Sequence, residues 1–272
     1  MSHDTPQQNR TQQEGTRTGS PQFNPSVILS SEILSNLIHK IGHEIGNPLT
    51  AIISLATIIE RFNDESAVQD LAASLKKISG YSTSIIDEAW KISALSERLV
   101  MLLSSKPGNP APCDVADTFR RTARKLSARG RIRKLELAIN QIGAVPAVAY
   151  IDADQFIIVL QELFSNATHA AIYSAPGSAE RVIPPLTVLI KGEAETSYFA
   201  ISNAAAAAAA VEPSALFEPF VTTWADKKHL GLGLTVCWAV VHRFGGSMQI
   251  VEERSGAGYT FTVAITLPAK GK

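Results

Sequence analysis

The stretch His43-Glu44-Ile45-Gly46-Asn47-Pro48-Leu49-Thr50-Ala51-Ile52 lies within a longer run in which apolar residues recur at helical spacing. Between residues 27 and 62 the members of this apolar stripe are Leu34, Ile38, Ile41, Ile45, Ile52, Leu55 and Ile59. Such heptad-like spacing is typical of one face of a helix that packs against a partner. We therefore predict one long helix, with a bend just after His43 because Pro48 removes a backbone donor.

A second helical stripe begins after the polar residues 63–66. Its members are Leu71, Leu75, Ile78, Ile85, Ala89, Ile92, Leu99 and Leu102. Two helices joined in this way form a hairpin that is too thin to bury both stripes, so pairing with a second copy is the simplest solution. The sequence thus predicts a homodimer whose two hairpins form a four-helix bundle.

The rest of the chain predicts a second domain of mixed α+β class, giving an α + (α+β) fold overall. We place a disordered, Gln/Thr/Ser/Gly-rich tail at 1–26, the hairpin at 27–104, a Pro/Ser/Gly linker at 105–113, the second domain at 114–268 and a short tail at 269–272. The second domain is predicted to have helices near 115–128, 154–173 and 233–244, the middle one capped by Asp152 or Asp154. Strands are expected at 135–139, 148–151, 186–191, 198–202, 247–252 and 258–267, the last two joined by a turn at Ser255-Gly256.

Composition excludes several classes of partner. Twenty-five Lys and Arg balance 25 Asp and Glu, so no net charge favours nucleic acid or a membrane surface. No apolar run reaches the roughly 18 residues that a membrane helix needs, so direct membrane insertion is not expected. The two cysteines, Cys113 and Cys237, have no disulfide or zinc spacing, which favours a cytoplasmic protein.

The quoted stretch carries a candidate nucleophile. A neutral His43 imidazole can attack an electrophile, and the adjacent Glu44 can accept or orient its second ring proton, with the Asn47 amide one turn later. Residue types alone favour a plain surface histidine beside an Asn-Pro pair. His39, one turn earlier, is interpreted as a solvated or packing residue.

Two later stretches could hold a nucleotide. In Glu162-Leu163-Phe164-Ser165-Asn166-Ala167-Thr168-His169, the side chains of Glu162, Asn166 and His169 share one helical face. An Asn oxygen is a hard ligand for Mg²⁺ and a carboxylate can hold its water, although a solvated polar stripe would look the same. The glycines of Leu230-Gly231-Leu232-Gly233-Leu234 would let a phosphate approach a helix start, or would simply form a tight turn.

Taken together, these stretches resemble the sensor histidine kinases of two-component systems. Residues 43–52 resemble the phosphoacceptor box, 162–171 the N-box, Phe217-Glu218-Pro219-Phe220-Val221-Thr222-Thr223 the Phe-box and 230–234 the second glycine box, with His229 in place of that box's first glycine. The resemblance implies a dimeric helical hairpin followed by an ATP-binding domain of the GHKL (Bergerat) type, with ATP and Mg²⁺ as cofactors.

The resemblance also implies roles for individual residues. His43 would be autophosphorylated, Glu44 would act as base, and Asn47 would position the water that dephosphorylates a partner receiver domain. Asn166 would contact Mg²⁺, with Glu162 beside it. His169, Gly231, Gly233 and Leu234 would complete the nucleotide site.

One expected motif is altered. After Ile201-Ser202 the first glycine box is replaced by Asn203 and seven alanines, Ala204 to Ala210, called here the alanine tract. Asn203 takes the place of the Asp that accepts the adenine amino group, and Ala205 and Ala207 those of glycines. An alanine run is a good helix former, so the hinge beside the nucleotide is expected to be reshaped. Natural divergence with ATP binding, a degenerate site and an engineered loop replacement all stay open.

The leading interpretation is an ATP-dependent protein-histidine kinase that phosphorylates His43 and passes the phosphoryl group to an aspartate of a response-regulator receiver. A separate sensor protein, or a sensor segment missing from this sequence, would then supply the signal. The alternative is a response-regulator phosphatase or phosphotransfer scaffold with a degenerate ATP site. A third interpretation is a coiled-coil interaction protein, in which case the order of the motifs would be a coincidence.

Overall fold

The computed structural model describes residues 16–22, 31–64, 71–103, 108–129, 137–143, 145–174, 184–205, 209, 211–223, 231–255 and 258–271. Some sequence predictions fall elsewhere. The predicted helix start at 27–30, His229, Ala207 and the turn residue Gly256 lie outside the described residues.

The N-terminal part is helical, as predicted. Helix α1 spans Ser31–Asp64 and helix α2 spans Leu71–Leu103, and the two pack against each other. Helix α1 includes Pro48, and Thr50 Oγ1 beyond it donates to the Gly46 carbonyl at 2.8 Å. The bend after His43 stays a prediction.

The C-terminal part contains two sheets. The strands are β1 (Thr16–Gly19), β2 (Ala111–Asp114), β3 (Leu137–Ile142), β4 (Val148–Ile151), β5 (Leu186–Gly192), β6 (Thr196–Ala205), β7 (Ser247–Ser255) and β8 (Gly258–Pro268). The large sheet has the order β1-β7-β8-β6-β5-β3, with only β3 and β5 parallel among these neighbours, and β2 pairs with β4.

Helices pack on the large sheet. They are α3 (Val115–Arg129), α4 (Ala153–Ser174) and α5 (Gly233–Arg243), with a short 3₁₀ helix at Pro213–Phe217. Phe119 of α3 lies against Phe164 of α4 and Phe199 of β6, with ring centroids 6.1 and 5.2 Å apart. These rings are almost fully buried, so the core lies between the helices and the sheet.

The start of α4 is defined by an Asp cap. Asp152 Oδ1 accepts hydrogen bonds from the backbone N–H groups of Asp154, at 3.1 Å, and Gln155, at 3.0 Å. These bonds satisfy donors that have no partner inside the helix. Of the two predicted capping residues, Asp152 is therefore the cap. Its Oδ2 also accepts from Asn109 N at 2.8 Å, which holds the linker against the helix.

Three boundary predictions are wrong in part. The tail 1–26 contains strand β1, because an edge strand is held by backbone hydrogen bonds and needs no apolar run. The linker 105–113 contributes Ala111, Pro112 and Cys113 to β2, where the edge position tolerates Pro112. The strand predicted at 198–202 extends through Ala204 and Ala205 of the alanine tract, because Thr260 and Tyr259 of β8 pair with them.

Candidate functional site: nucleotide-binding face and phosphoacceptor helix

The polar face of α4 carries the first part of the site. Glu162 and Asn166 are one turn apart on α4, and both are partly buried. The guanidinium of Arg98 in α2 forms a two-point ion pair with Glu162, with Nε to Oε1 at 2.7 Å and Nη2 to Oε2 at 3.1 Å. Burial acts to lower the pKa of Arg98, but the Glu162 carboxylate prevails and raises that pKa above its usual value. This ion pair therefore connects helix α2 of the hairpin to the polar face of α4.

The start of α5 lies against the same two side chains. A Cβ added to Gly233 would come within 2.7 Å of Glu162 Oε2 and 3.5 Å of Asn166 Nδ2. Among the described residues, the N-cap residue Leu232 makes no side-chain capping bond, which leaves the first N–H groups of α5 open to another acceptor. Uncapped amides at a helix N-terminus favour an anion such as phosphate. Glu162, Asn166 and Gly233 thus form one compact surface.

The Phe-box segment is attached to the second glycine box. Gly231 has a φ of +66°, and a Cβ there would lie 2.6 Å from the Val221 carbonyl oxygen. The Phe220 N–H donates to the Gly231 carbonyl at 3.0 Å, and Phe220 itself has a positive φ of 70°. Thr235 Oγ1 of α5 donates to the Phe217 carbonyl at 2.9 Å. Glycine is required at position 231 for both its conformation and its close contact.

Asn203 lies on strand β6, which packs against α4. It lies near the end of β6, is only 4% exposed and pairs in register with Phe261 of β8. Strand alternation puts it on the same face as the buried residues Phe199 and Ile201. Its Nδ2 donates to the Ala204 carbonyl at 3.1 Å, so the amide group is oriented by the backbone.

The motif around His43 lies on an exposed part of helix α1. His43 and Asn47 are exposed and Glu44 is partly buried. The rings of His39 and His43 meet edge to face, with centroids 4.8 Å apart. The sequence interpretation of His39 as a solvated or packing residue therefore missed a direct neighbour of His43, although the four-residue spacing could have indicated it.

A contact connects α1 to the Phe-box. Lys40 Nζ lies 4.1 Å from the centroid of the Phe220 ring, a cation–π distance. Ile41 and Ile45, which flank His43, pack against the buried core cluster, which includes Leu95 and Leu102 of α2 as well as residues of the C-terminal part. The helix that carries His43 is thus in contact with the segment that follows the alanine tract.

The predicted site residues fall into two groups in the structure. Glu162, Asn166 and Gly233 come together, whereas His43, Glu44 and Asn47 share helix α1. His169 is partly buried on α4, and Leu234 packs against the core. Sequence reasoning missed Arg98 and Lys40, because a single basic residue on an amphipathic helix looks like an ordinary solvated position.

The donor set suits a magnesium nucleotide better than a free metal ion. The described residues contain no group of three His, Cys, Asp or Glu side chains that could hold a metal. Within the described ranges no hydrogen bond engages the Asn166 side chain, so its amide oxygen is available to a cation. One amide ligand beside an open helix start fits an Mg²⁺ whose other ligands are phosphates and water.

Cys237 lies within this region but is not suited to chemistry. It is fully buried in α5 and its thiol donates to the Val159 carbonyl at 3.7 Å. Burial, with a smaller effect of Glu162, raises the pKa of the Cys237 thiol well above its usual value, while Arg98 acts in the opposite direction. A buried thiol that keeps its proton is a packing residue.

Comparison with known families defines the class of the C-terminal part. Residues 151–270 match the family described as histidine kinase-, DNA gyrase B-, and HSP90-like ATPase. This range contains α4, the 3₁₀ helix, α5 and the strands β5 to β8. The C-terminal part is therefore an ATPase domain of the GHKL type, as predicted.

Curated proteins of similar sequence match most of the chain. The chain is 26% identical over 233 residues to the sensor histidine kinase ZraS of Escherichia coli K12, covering 85% of this chain and 45% of that protein. It is 25% identical over 244 residues to the sensory histidine kinase/phosphatase NtrB of Rhizobium meliloti, covering 87% and 59%. The chain is thus similar over most of its length to sensor histidine kinases, and it spans about half the length of the curated relatives it matches.

Solved structures show the same fold. The Acinetobacter baumannii histidine kinase AdeS superposes with a TM-score of 0.55 at 16% identity, covering 84% of this chain and 98% of that one. Full-length ShkA in complex with AMPPNP gives a TM-score of 0.55 at 16% identity, covering 86% and 45%. No helix among the described residues is long and apolar enough to span a membrane.

Proposed function

We propose that this chain transfers the γ-phosphoryl group of ATP to His43 and then to an aspartate of a response-regulator receiver domain. The observation that carries the proposal is the contact between Lys40, three residues before His43, and Phe220 of the Phe-box. This contact couples the phosphoacceptor helix to the ATPase domain. Because phosphoryl transfer depends mainly on positioning and charge stabilisation, such coupling is a requirement of the reaction.

Each nucleotide-site residue has a defined role in this proposal. Asn166 would hold Mg²⁺ through its amide oxygen, and Glu162 would hold water around the ion. The backbone N–H groups of Gly233 and Leu234 would donate to phosphate oxygens, and Gly231 would keep the Phe-box close by. Asn203 would accept a hydrogen bond from the adenine amino group, more weakly than an Asp would. His169 would border the same face, and the bound nucleotide supplies the phosphoryl group.

On α1, His43 would attack through a neutral ring nitrogen. Glu44 would accept or orient the proton on the other ring nitrogen, which keeps the attacking nitrogen's lone pair free. Asn47, one turn further, would position a water molecule for removal of the phosphoryl group from the receiver aspartate. The exposure of His43 and Asn47 supports access by a second protein.

The proposed partners follow from the exposed helical surface. Apolar side chains that are at least 38% exposed on α1 and α2 include Ile38, Leu49, Ile53, Ile58, Leu75, Ile86 and Trp90. We propose that a second copy covers part of this surface as a homodimer, and that a receiver domain docks near His43. A separate sensor would supply the signal, and the reaction would take place in the cytoplasm because it consumes ATP.

The test is labelling with radioactive ATP. The wild-type chain should form an acid-labile, base-stable phosphoprotein, and His43→Gln should abolish it. His39→Gln is the matched control, because it removes the neighbouring imidazole from the same helix and should retain most of the label. Label that persists in His43→Gln would refute the assignment of the nucleophile.

A second candidate is a phosphatase or phosphotransfer protein with little kinase activity. The observation that favours it is the Arg98–Glu162 pair, which occupies both carboxylate oxygens of Glu162. The relative NtrB is described as both kinase and phosphatase. Dephosphorylation of a phospho-receiver by the wild-type chain, its loss in Asn47→Ala, and absence of self-labelling would together select this candidate. Self-labelling of His43 would select the kinase.

A further inference from the structure

A segment near the N-terminus, outside the range that matches the ATPase family, forms part of the large sheet. Strand β1 (Thr16–Gly19) pairs antiparallel with β7, and Arg17 lies opposite Glu252. The matched family range begins only at residue 151. Strand β1 is thus an addition to the sheet made from a distant part of the sequence.

Arg17 makes four polar contacts there. Its Nη1 donates to the Ala209 carbonyl at 3.1 Å and to Glu252 Oε2 at 2.9 Å. Its Nη2 donates to the Val211 carbonyl at 2.9 Å and to Glu212 Oε1 at 3.2 Å. A planar guanidinium can serve several acceptors at once, which an ammonium cannot do in the same geometry.

Glu252 completes the arrangement from the opposite side. It is 1% exposed, and its Oε1 accepts the backbone N–H of Ala209 at 2.5 Å. Ala209 is therefore held at its N–H by Glu252 and at its carbonyl by Arg17. Because alanine has no polar side chain, these backbone contacts provide the polar anchoring of this residue.

Strand β1 also contacts the next segment along the chain. A Cβ added to Gly19 would clash with the backbone of Pro213 and Ser214 in the 3₁₀ helix. That helix runs directly into the Phe-box at Phe217. Together Arg17 and Gly19 contact residues that lie between Asn203 and the Phe-box in the sequence, namely Ala209, Val211, Glu212, Pro213 and Ser214.

We propose that Arg17 is a positioning residue for nucleotide binding, acting through Ala209, Val211 and Glu252. In this protein strand β1, rather than glycine turns, holds the chain at Ala209 and Val211. This inference rests on the proposed function, since it needs a nucleotide to be bound at Asn203 and Asn166. Arg17 need not contact the nucleotide itself.

The test compares Arg17→Gln with Arg17→Lys in the full chain, and Lys270→Gln serves as the control. Lys270 forms an exposed ion pair with Glu195 at 3.0 Å in another part of the fold. Three quantities are measured below the unfolding temperature: the Kd of an ATP analogue with Mg²⁺, KM and kcat for His43 labelling, and hydrogen exchange of the Ala209 amide.

Arg17→Gln should weaken nucleotide binding about tenfold, the effect of losing one good charge-assisted hydrogen bond. KM should rise by a similar factor while kcat stays the same, because His43 and its helix are unchanged. Exchange at Ala209 should accelerate even without nucleotide. Arg17→Lys should restore part of the binding, and Lys270→Gln should behave as wild type.

Two outcomes separate the inference from the proposed function. Wild-type binding with an unchanged Kd in Arg17→Gln would overturn the role of Arg17 alone. Absence of nucleotide binding in the wild-type chain would overturn the kinase proposal and this inference with it. If Arg17→Gln fails to fold, Glu252→Gln keeps an acceptor for Ala209 but removes the charge. It should weaken binding about threefold, and an unchanged Kd there would equally overturn the inference.

Discussion

Two arginine–glutamate pairs hold the structure around the stretches assigned to the candidate nucleotide site, one between α2 and α4 and one between β1 and β7, and the pairs differ in origin. On the α4–α5 side, Glu162 belongs to the predicted N-box and pairs with Arg98 of α2. On the β6–β7 side, Glu252 of β7 pairs with Arg17 of β1, and neither residue belongs to any recognised motif. The partners are 64 residues apart in the first pair and 235 apart in the second.

The two regions therefore owe their structure to different interactions, local in one and long-range in the other. The α4–α5 side is defined by residue spacing on single helices, which the sequence displays directly. The β6–β7 side has alanines where the family has glycines, and its backbone is held by contacts from a distant strand. We therefore expect substitutions of motif residues to weaken nucleotide binding on the α4–α5 side. On the β6–β7 side, we expect substitutions of residues outside the motifs to weaken it.

The largest expected effect is on the α4–α5 side, at Gly233. In Gly233→Val the new side chain would meet Glu162 Oε2, since even a Cβ would lie within 2.7 Å of it. The change would fill the space where phosphate is proposed to bind. Nucleotide affinity should fall by about a hundredfold or more, as measured by isothermal titration with Mg²⁺ and an ATP analogue.

A glycine in open surroundings is the control for this variant. Gly80 lies in α2, and a Cβ there would meet no atom within 4 Å. Gly80→Ala should leave affinity unchanged and raise the free energy of unfolding by about 0.5–1 kcal/mol. Nucleotide binding by Gly233→Val at wild-type strength would show that the phosphates bind elsewhere.

The next expected effect concerns the Arg98–Glu162 pair. Arg98→Ala leaves a largely buried carboxylate without its partner, because the Glu162 side chain is only 12% exposed. The free energy of unfolding should fall by about 1–3 kcal/mol. Urea denaturation at neutral pH measures this change.

An exposed ion pair provides the comparison for Arg98. Lys91 pairs with Glu88 on α2, and the Lys91 side chain is 65% exposed. Lys91→Ala should change stability by no more than about 0.5 kcal/mol, since water screens the pair. Equal effects of the two substitutions would mean that the Arg98–Glu162 pair stabilises the fold no more than an exposed ion pair does.

Sequence reasoning predicted the elements of this fold because they depend on local patterns. The apolar stripes indicated α1 and α2, and Asp152 was one of the two residues predicted to cap α4. The Glu162–Asn166 spacing put both side chains on one face, and Gly233 does lie against them. These features need only neighbours in sequence or a motif that recurs in the family.

The errors arose where long-range contacts outweigh local composition. Residues 16–19 read as a polar tail, yet their backbone pairs with β7 and their arginine reaches Ala209. Ala204 and Ala205 favour a helix in isolation, but β8 offers them strand partners. The local sequence does not indicate the register of an edge strand. It also does not indicate which residue a single arginine will pair with.

The smallest expected effect restores the family residue on the β6–β7 side. Asn203→Asp places a charged acceptor where the resemblance expects an adenine contact, and charged acceptors form stronger hydrogen bonds. ATP should bind about three- to tenfold more tightly, while the free energy of unfolding of the nucleotide-free chain should fall, because Asn203 is only 4% exposed. Asn140→Asp, at an exposed position of β3, is the matched control and should alter neither quantity. Weaker ATP binding in Asn203→Asp would mean that adenine does not use this residue. Any nucleotide contact on the β6–β7 side would then come from the backbone that Arg17 and Glu252 contact.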